Sequence, residues 1–192
     1  VNYSLTDDWG GSNLIQAELV KGLNLFNPTR RNQPVTAGKA ARSNARGQHD
    51  FTKFAITASR LQTLSEDVGL LASISAQKSS VSLFSSEQFG YGGTTFGKAY
   101  NSSELSADEG VSLALELRQN MIWDTWSMQP YLFYDFGYVR DKQYRAGFET
   151  AASGGFGFRV NWESLKLDAY LALPLTSRPG TPRLGFEDKD PY

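Results

Sequence analysis

The sequence predicts an all-β fold, a transmembrane antiparallel β-barrel, on three observations. The first is period-two alternation sustained over about ten residues, longer than an ordinary strand and matched to the span of a tilted membrane strand. In GVSLALELRQN, Val111, Leu113, Leu115 and Leu117 share one face, while Ser112, Ala114, Glu116 and Arg118 share the other. In SLKLDAYLALPL, Leu165, Leu167, Ala169, Leu171, Leu173 and Leu175 lie opposite Lys166, Asp168 and Tyr170. The second is a regular alternation of connections. Short ones fall near residues 7–12, 65–67, 121–128 and 163–164, and long polar ones at 27–50, 84–110, 141–152 and 176–192. Short periplasmic turns and long external loops have this asymmetry, which a soluble sandwich does not need. The third is aromatic placement. Trp9, Trp123, Trp126 and Trp162 sit at or beside short turns, and Phe26, Phe51, Tyr138 and Phe156 are read at the opposite strand ends. Together they form two interfacial belts.

Eight strands follow in order. Residues 1–6 place Val1, Tyr3 and Leu5 on one face, opposite Asn2, Ser4 and Thr6. Residues 13–26 set Ile15, Ala17, Leu19, Leu23 and Leu25 against Gln16, Glu18 and Asn24. Lys21 falls on the apolar side, where mid-bilayer placement costs roughly 2–4 kcal/mol, so a bulge at Gly22 or a near-interface height is expected. Residues 51–64 carry Phe54, Ile56 and Ala58 in a frame that then exposes Arg60. Residues 68–83 carry Leu70, Ala72, Ile74 and Ala76 and slip phase near Val81. Residues 111–120, 129–140, 153–162 and 165–175 complete the set.

Composition is compatible with this fold. The chain has 192 residues, a formal net charge of −1 and 40% hydrophobic residues. Its mean hydropathy of −0.39 resembles a soluble protein. A barrel with a polar lumen produces that value, because half of each strand faces water. No apolar run reaches the 18 or more residues of a membrane helix. The charge balance provides no basic field for nucleic acid. There is no cysteine and a single histidine, which leaves neither thiolate metal sites nor disulfides. No signal peptide is expected within these residues. The chain opens on VNYSL, inside a strand pattern, and is read as a mature or truncated piece.

Motifs for chemistry are weak. GGTTFGKA, residues 92–99, approaches the phosphate-binding pattern GxxxxGK[ST], but Ala99 stands where a hydroxyl must meet Mg²⁺ and the following YNSSELSADEG is a poor helix. His49 beside Asp50 is read as a surface histidine, and Glu187, Asp188 and Asp190 as solvated loop charges. The expectation is no enzyme, no cofactor, no metal and no nucleotide.

The more informative text is LFSSEQFGYGGTTFGKAYNSSELSADEGVSLALELR, followed by QPYLFYDFGYV and LPLTS. Here the chain resembles the two-partner secretion transporters, the haemolysin secretion/activation family (type Vb) of the outer-membrane assembly-factor superfamily. The resemblance covers essentially the whole chain and is weakest over residues 27–50. It implies a barrel of about sixteen strands, of which this chain holds roughly the eighth to the fifteenth. Periplasmic POTRA domains and the terminal strands would lie outside residues 1–192. It also implies that the loop at about 84–110 folds into the pore. The tip, Phe96, Gly97, Lys98, Ala99 and Tyr100, would bring its cation to the acid of a Phe-x-Asp motif, here Phe133, Tyr134 and Asp135. Lys98 departs from the family's usual arginine and lacks its planar fork. The residues favour such a pairing independently, since Asp135 lies among Tyr131, Phe133, Tyr134 and Phe136 and there requires water or a cation.

The implied function is an outer-membrane pore that exports one large unfolded partner protein from periplasm to cell surface, with the loop as latch or plug. Glu18, Glu116, Arg118, Asp135, Arg159, Lys166 and Asp168 are expected to line its lumen, where mixed charge lets a chain pass without strong binding. Outer-membrane lipid and lipopolysaccharide are the expected surroundings. The alternatives are an assembly factor of the same superfamily acting at a lateral seam, a passive porin-like channel, a soluble β-sandwich binding module with its tryptophans in a core, and an outer-membrane hydrolase.

Overall fold

The computed structural model describes residues 1–23, 47–142 and 147–176. These form β1 (Asn2–Thr6), β2 (Gly11–Lys21), β3 (Thr52–Thr63), β4 (Val68–Ser79), β5 (Phe89–Tyr91), β6 (Leu105–Ala107), β7 (Glu109–Gln119), β8 (Met121–Ile122), β9 (Trp126–Arg140), β10 (Phe148–Trp162) and β11 (Leu165–Pro174). One antiparallel sheet runs β1-β2-β3-β4-β7-β9-β10-β11, with β8 paired to β9, while β5 and β6 form a separate small hairpin. Among the described residues the sheet does not close on itself, and β1 and β11 are its edges. Among the described residues no helix is long and apolar enough to cross a membrane, which leaves a strand-built span untouched.

The register gives the sheet two faces, because residues opposite one another on antiparallel strands point the same way. One face carries Ile15, Ala17 and Leu19 beside Ala58, Ile56 and Phe54. It continues through Ala72 and Leu115 to Tyr134, and through Leu132, Phe156 and Leu171. Leu19, Leu132, Phe156, Leu171 and Leu173 are exposed on it. So large an apolar surface without a protein partner is what a lipid-facing wall presents. The other face carries Glu116, Arg118, Asp135, Arg159, Lys166 and Asp168, and Glu18 further along. Leu14, Leu61 and Leu71 interrupt its polarity near β2 to β4.

Lys21 and Arg60, the two cations noted on the apolar frames of β2 and β3, are neutralised at the margins of that face. Lys21 is the last residue of β2, at the long-loop end, and pairs with Asp50. Arg60 lies at the short-turn end, where its guanidinium donates to Asp7, Asn13 and Gln62. The Arg60 hydrogen bond holds the Asp7 carboxyl well below the usual carboxylate range. Neither charge is left unpaired against lipid.

Several expectations need correction. The strand expected over 13–26 begins at Gly11 and ends at Lys21, and residues 24–26 lie outside the described residues, as do most of 27–50 and 177–192. β4 ends at Ser79 rather than at residue 83, because side chains take over the backbone partners: Ser79 Oγ donates to the Val81 carbonyl, and Ser80 Oγ accepts from the Thr52 N–H. β10 starts five residues before 153, extending the ladder with β9. That removes Phe156 from the belt: it pairs with Leu132 and Leu171 at mid-height. Phe51 is buried. The aromatic pair at that end is Tyr138 stacked on Phe148, 5.8 Å between centroids. At the short-turn end Trp9, Trp123, Trp126 and Trp162 are all exposed, with Trp123 stacked on Trp126 at 4.1 Å.

Candidate functional site

The segment between β4 and β7 turns back over the polar face. A 3₁₀ turn, Ser85–Glu87, is fastened to it by the Lys53 ammonium on Glu87 (2.8 Å) and by the Gln77 amide donating to the Glu87 carbonyl (2.9 Å). At the foot of the segment, buried Asp108 accepts the N–H groups of Leu83 (2.7 Å) and Lys142 (3.0 Å). Between these anchors the β5/β6 hairpin lays Phe89, Tyr91, Tyr100, Leu105 and Ala107 against Val139 and Ala151 of the wall. This is the hydrophobic core cluster of the described residues, and it lies between the loop and one sector of the sheet.

Glycines in the wall make the close approach possible. A Cβ on Gly137 would stand 2.3 Å from the Tyr91 ring, and one on Gly110 2.3 Å from the Phe89 ring. The tip turns at Gly97, whose φ of 81° suits glycine, with the Tyr100 N–H returning to the Gly97 carbonyl at 2.9 Å. Tyr100 then reaches the far side of the cluster, donating to the Ala152 carbonyl (3.0 Å) and lying 2.8 Å from Thr176 Oγ1. Tyr91 is fully buried, and its hydroxyl makes no hydrogen bond of good geometry although Ser153 is near. Burial, then the charge of Asp135, pushes that hydroxyl above the ordinary phenol range, so it stays protonated.

This fold of the tip brings Lys98 to Asp135. Asp135 is completely buried, and its Oδ2 accepts the Lys98 backbone N–H (2.9 Å) and the Ser153 hydroxyl (3.3 Å). Its Oδ1 lies 3.4 Å from the Lys98 ammonium, which sits 4.6 Å from the centre of the Phe133 ring. The Lys98 side chain is 9% exposed. Phe96 and Ala99 pack against the core cluster.

Lower on the same face, Arg159 holds a second cluster. Its guanidinium grips Glu116 through two nitrogens (2.7 and 2.9 Å), touches Asp168 (3.1 Å) and Gln129 (2.7 Å), and stacks 4.1 Å from the Tyr131 ring. Tyr131 donates to Asp168 at 2.8 Å, and Arg118 stands 3.6 Å from Glu116. Gly155 and Gly157 of β10 make room for the Phe133 and Tyr131 rings: an added Cβ would come within 2.8 and 2.5 Å of them. Glu18 and Lys166 share the face but belong to neither cluster, and both are exposed. Sequence reasoning passed over Tyr91, Gly137, Ser153 and Thr176, and read Tyr131 only as an aromatic neighbour of Asp135. The available signal was the glycine spacing of SGGFGF opposite the aromatic spacing of YLFYDFGY. His49, read as a surface residue, packs its ring 4.7 Å from Phe84. No cluster of three or more potential metal ligands occurs among the described residues.

A family model described as haemolysin secretion/activation protein ShlB/FhaC/HecB matches residues 8–160, a stretch that includes both Lys98 and Asp135. The chain belongs to that family. In fold, this haemolysin secretion/activation chain is similar to CdiB from Escherichia coli, with a TM-score of 0.72 and 19% identity over 91% of this chain. It spans 32% of the CdiB chain, so the likeness speaks for the architecture of this portion. No curated protein matches the sequence.

Proposed function

We propose that residues 1–192 form the later part of an outer-membrane pore through which a secreted partner protein leaves the periplasm unfolded, and that the loop over residues 84–110 is its latch. Family membership supports the transport reading. A wall apolar on one side and charged on the other supports a water-filled passage. The observation that carries the latch is Asp135: a fully buried carboxylate whose counter-charge comes from a loop rather than from a neighbouring strand. A buried charge confines its partner, because separating the two leaves each without compensation. The loop therefore holds one position at rest and needs a competing interaction, such as an arriving polypeptide, to leave it. Glu18, Glu116, Arg118, Arg159, Lys166 and Asp168 line the passage. Lipid and lipopolysaccharide contact the apolar face. The chemistry is transport, without nucleotide, nucleic acid or cofactor.

A covalent lock in the full-length transporter tests this. With Lys98→Cys and Asp135→Cys joined by a short reducible crosslinker, export of the partner should stop and resume on reduction, while each single cysteine variant gives no reducible block. Export that continues while the loop is crosslinked would dispose of the latch. Steady conductance that is indifferent to the lock, with no exported partner, would favour a passive channel.

A further inference from the structure

The apolar face carries a groove of about 340 Å³ near its long-loop end. Its floor is Ala76. The register sets Ala76 between Ile56 and Val111, with Tyr138 one strand further on, so a methyl group lies in a row of larger side chains. That row is an apolar trough crossing four strands. The next row towards the loops is charged, with Lys78 on β4 and the facing pair Glu109 and Arg140. Glu109 meets two cations, Arg140 at 2.6 Å and Lys142 at 2.9 Å. Lys78 is exposed and ion-pairs with no carboxylate among the described residues. Of the charged residues lining the groove, Lys78 and Arg140 are cations and Glu109 is the anion, so the rim itself keeps a positive surplus. An apolar trough under an unmatched cation is complementary to an anion carrying hydrocarbon.

We propose that this groove binds lipid A, with an acyl chain laid over Ala76 and a phosphate held by Lys78 and the solvent-facing side of Arg140. This rests on the reading above, in which the apolar face meets the bilayer and the long loops lie outside the cell. The groove then opens at the outer leaflet, where lipid A is the phosphorylated lipid at hand. A charge-assisted bond to phosphate and a filled trough each contribute to holding it.

Binding of lipid A with both phosphates to the full-length transporter in detergent, measured by native mass spectrometry, tests the site against dephosphorylated lipid A and phosphatidylglycerol. Lys78→Gln and Ala76→Phe should each weaken retention of lipid A by about tenfold. Dephosphorylated lipid A should bind the parent protein as weakly as lipid A binds Lys78→Gln. Should Ala76→Phe fail to fold, the exposed Lys78→Gln decides alone. Retention equal to the parent in a folded Lys78→Gln protein overturns the site, and equal binding of phosphatidylglycerol overturns lipid A as its occupant. A bimane label on Leu115→Cys in proteoliposomes separates the two levels of the argument. Quenching by brominated phospholipid with no lipid A binding defeats the groove alone, whereas no quenching defeats the bilayer reading beneath it.

Discussion

The polar face repeats one motif at two heights. In both places a cation lies over an aromatic ring of β9 and meets a carboxylate, Lys98 over Phe133 beside Asp135, and Arg159 over Tyr131 beside Glu116 and Asp168. The difference is where the cation comes from. Arg159 belongs to β10, so its cluster ties strand to strand within a ladder that already exists. Lys98 comes from a loop, so its contact is the kind that a rearrangement can remove. Burial separates them only in part: Asp135 and Lys98 are 0% and 9% exposed, while in the strand cluster Glu116 is 8%, Arg159 30% and Asp168 49% exposed. A pair out of water is costly to break halfway, and a hydrated pair is worth little. The loop cluster therefore resembles a switch, and the strand cluster a lining.

Substitutions at five positions sharpen or break that contrast, each read by thiol labelling of a cysteine at Thr95 in the full-length protein. Lys98→Ala should have the largest effect, on the order of 3 kcal/mol against the tucked loop, because Asp135 is left buried with only two hydrogen-bond donors. Combining it with Asp135→Ala should be no worse than either change alone, and Lys98→Arg should label like the parent. Gly137→Ala should follow, at about 1–3 kcal/mol, since the new Cβ displaces the Tyr91 ring and overpacks the cluster. Tyr100→Phe should cost about 1 kcal/mol, the net worth of a hydrogen bond, and raise labelling modestly. Asp168→Asn should cost about 0–1 kcal/mol and leave labelling unchanged, because Arg159 keeps Glu116. If Asp168→Asn freed the loop as fully as Lys98→Ala, the two clusters would be one coupled unit and the contrast would fail.

The strands were legible because a wall with lipid on one side and water on the other must alternate, and β7 and β11 do so almost without exception. The alternation fails as a guide where tertiary contacts replace a solvent. FETAA at the start of β10 reads as loop, yet it extends a ladder dictated by β9. QFGY and LSA are too short for periodicity to register, and the hairpin they form is held by packing on Gly110 and Gly137. Lys98 was legible only through the family resemblance of the surrounding motif, since nothing local distinguishes it from any loop lysine. Asp135 stood out by itself, as an acid in an aromatic strand. Tyr91 and Ser153, its companions in burial, are ordinary residues until the register aligns them.

The hydroxyl of Tyr100 has a consequence of another kind. It joins the loop tip to Thr176, and Thr176 Oγ1 also takes the Ala152 amide hydrogen (3.1 Å), while the Leu175 amide closes on the Ala152 carbonyl (2.8 Å). These two amides lie at the end of the ladder between β10 and β11, outside the loop itself. Their exchange with deuterium should follow the loop: slow while Tyr100 is seated and fast once it departs. Peptides covering Ala152 and Leu175 thus carry a built-in clock for how often the loop tip leaves the wall, readable without a label, and on the proposed latch reading without any exported protein.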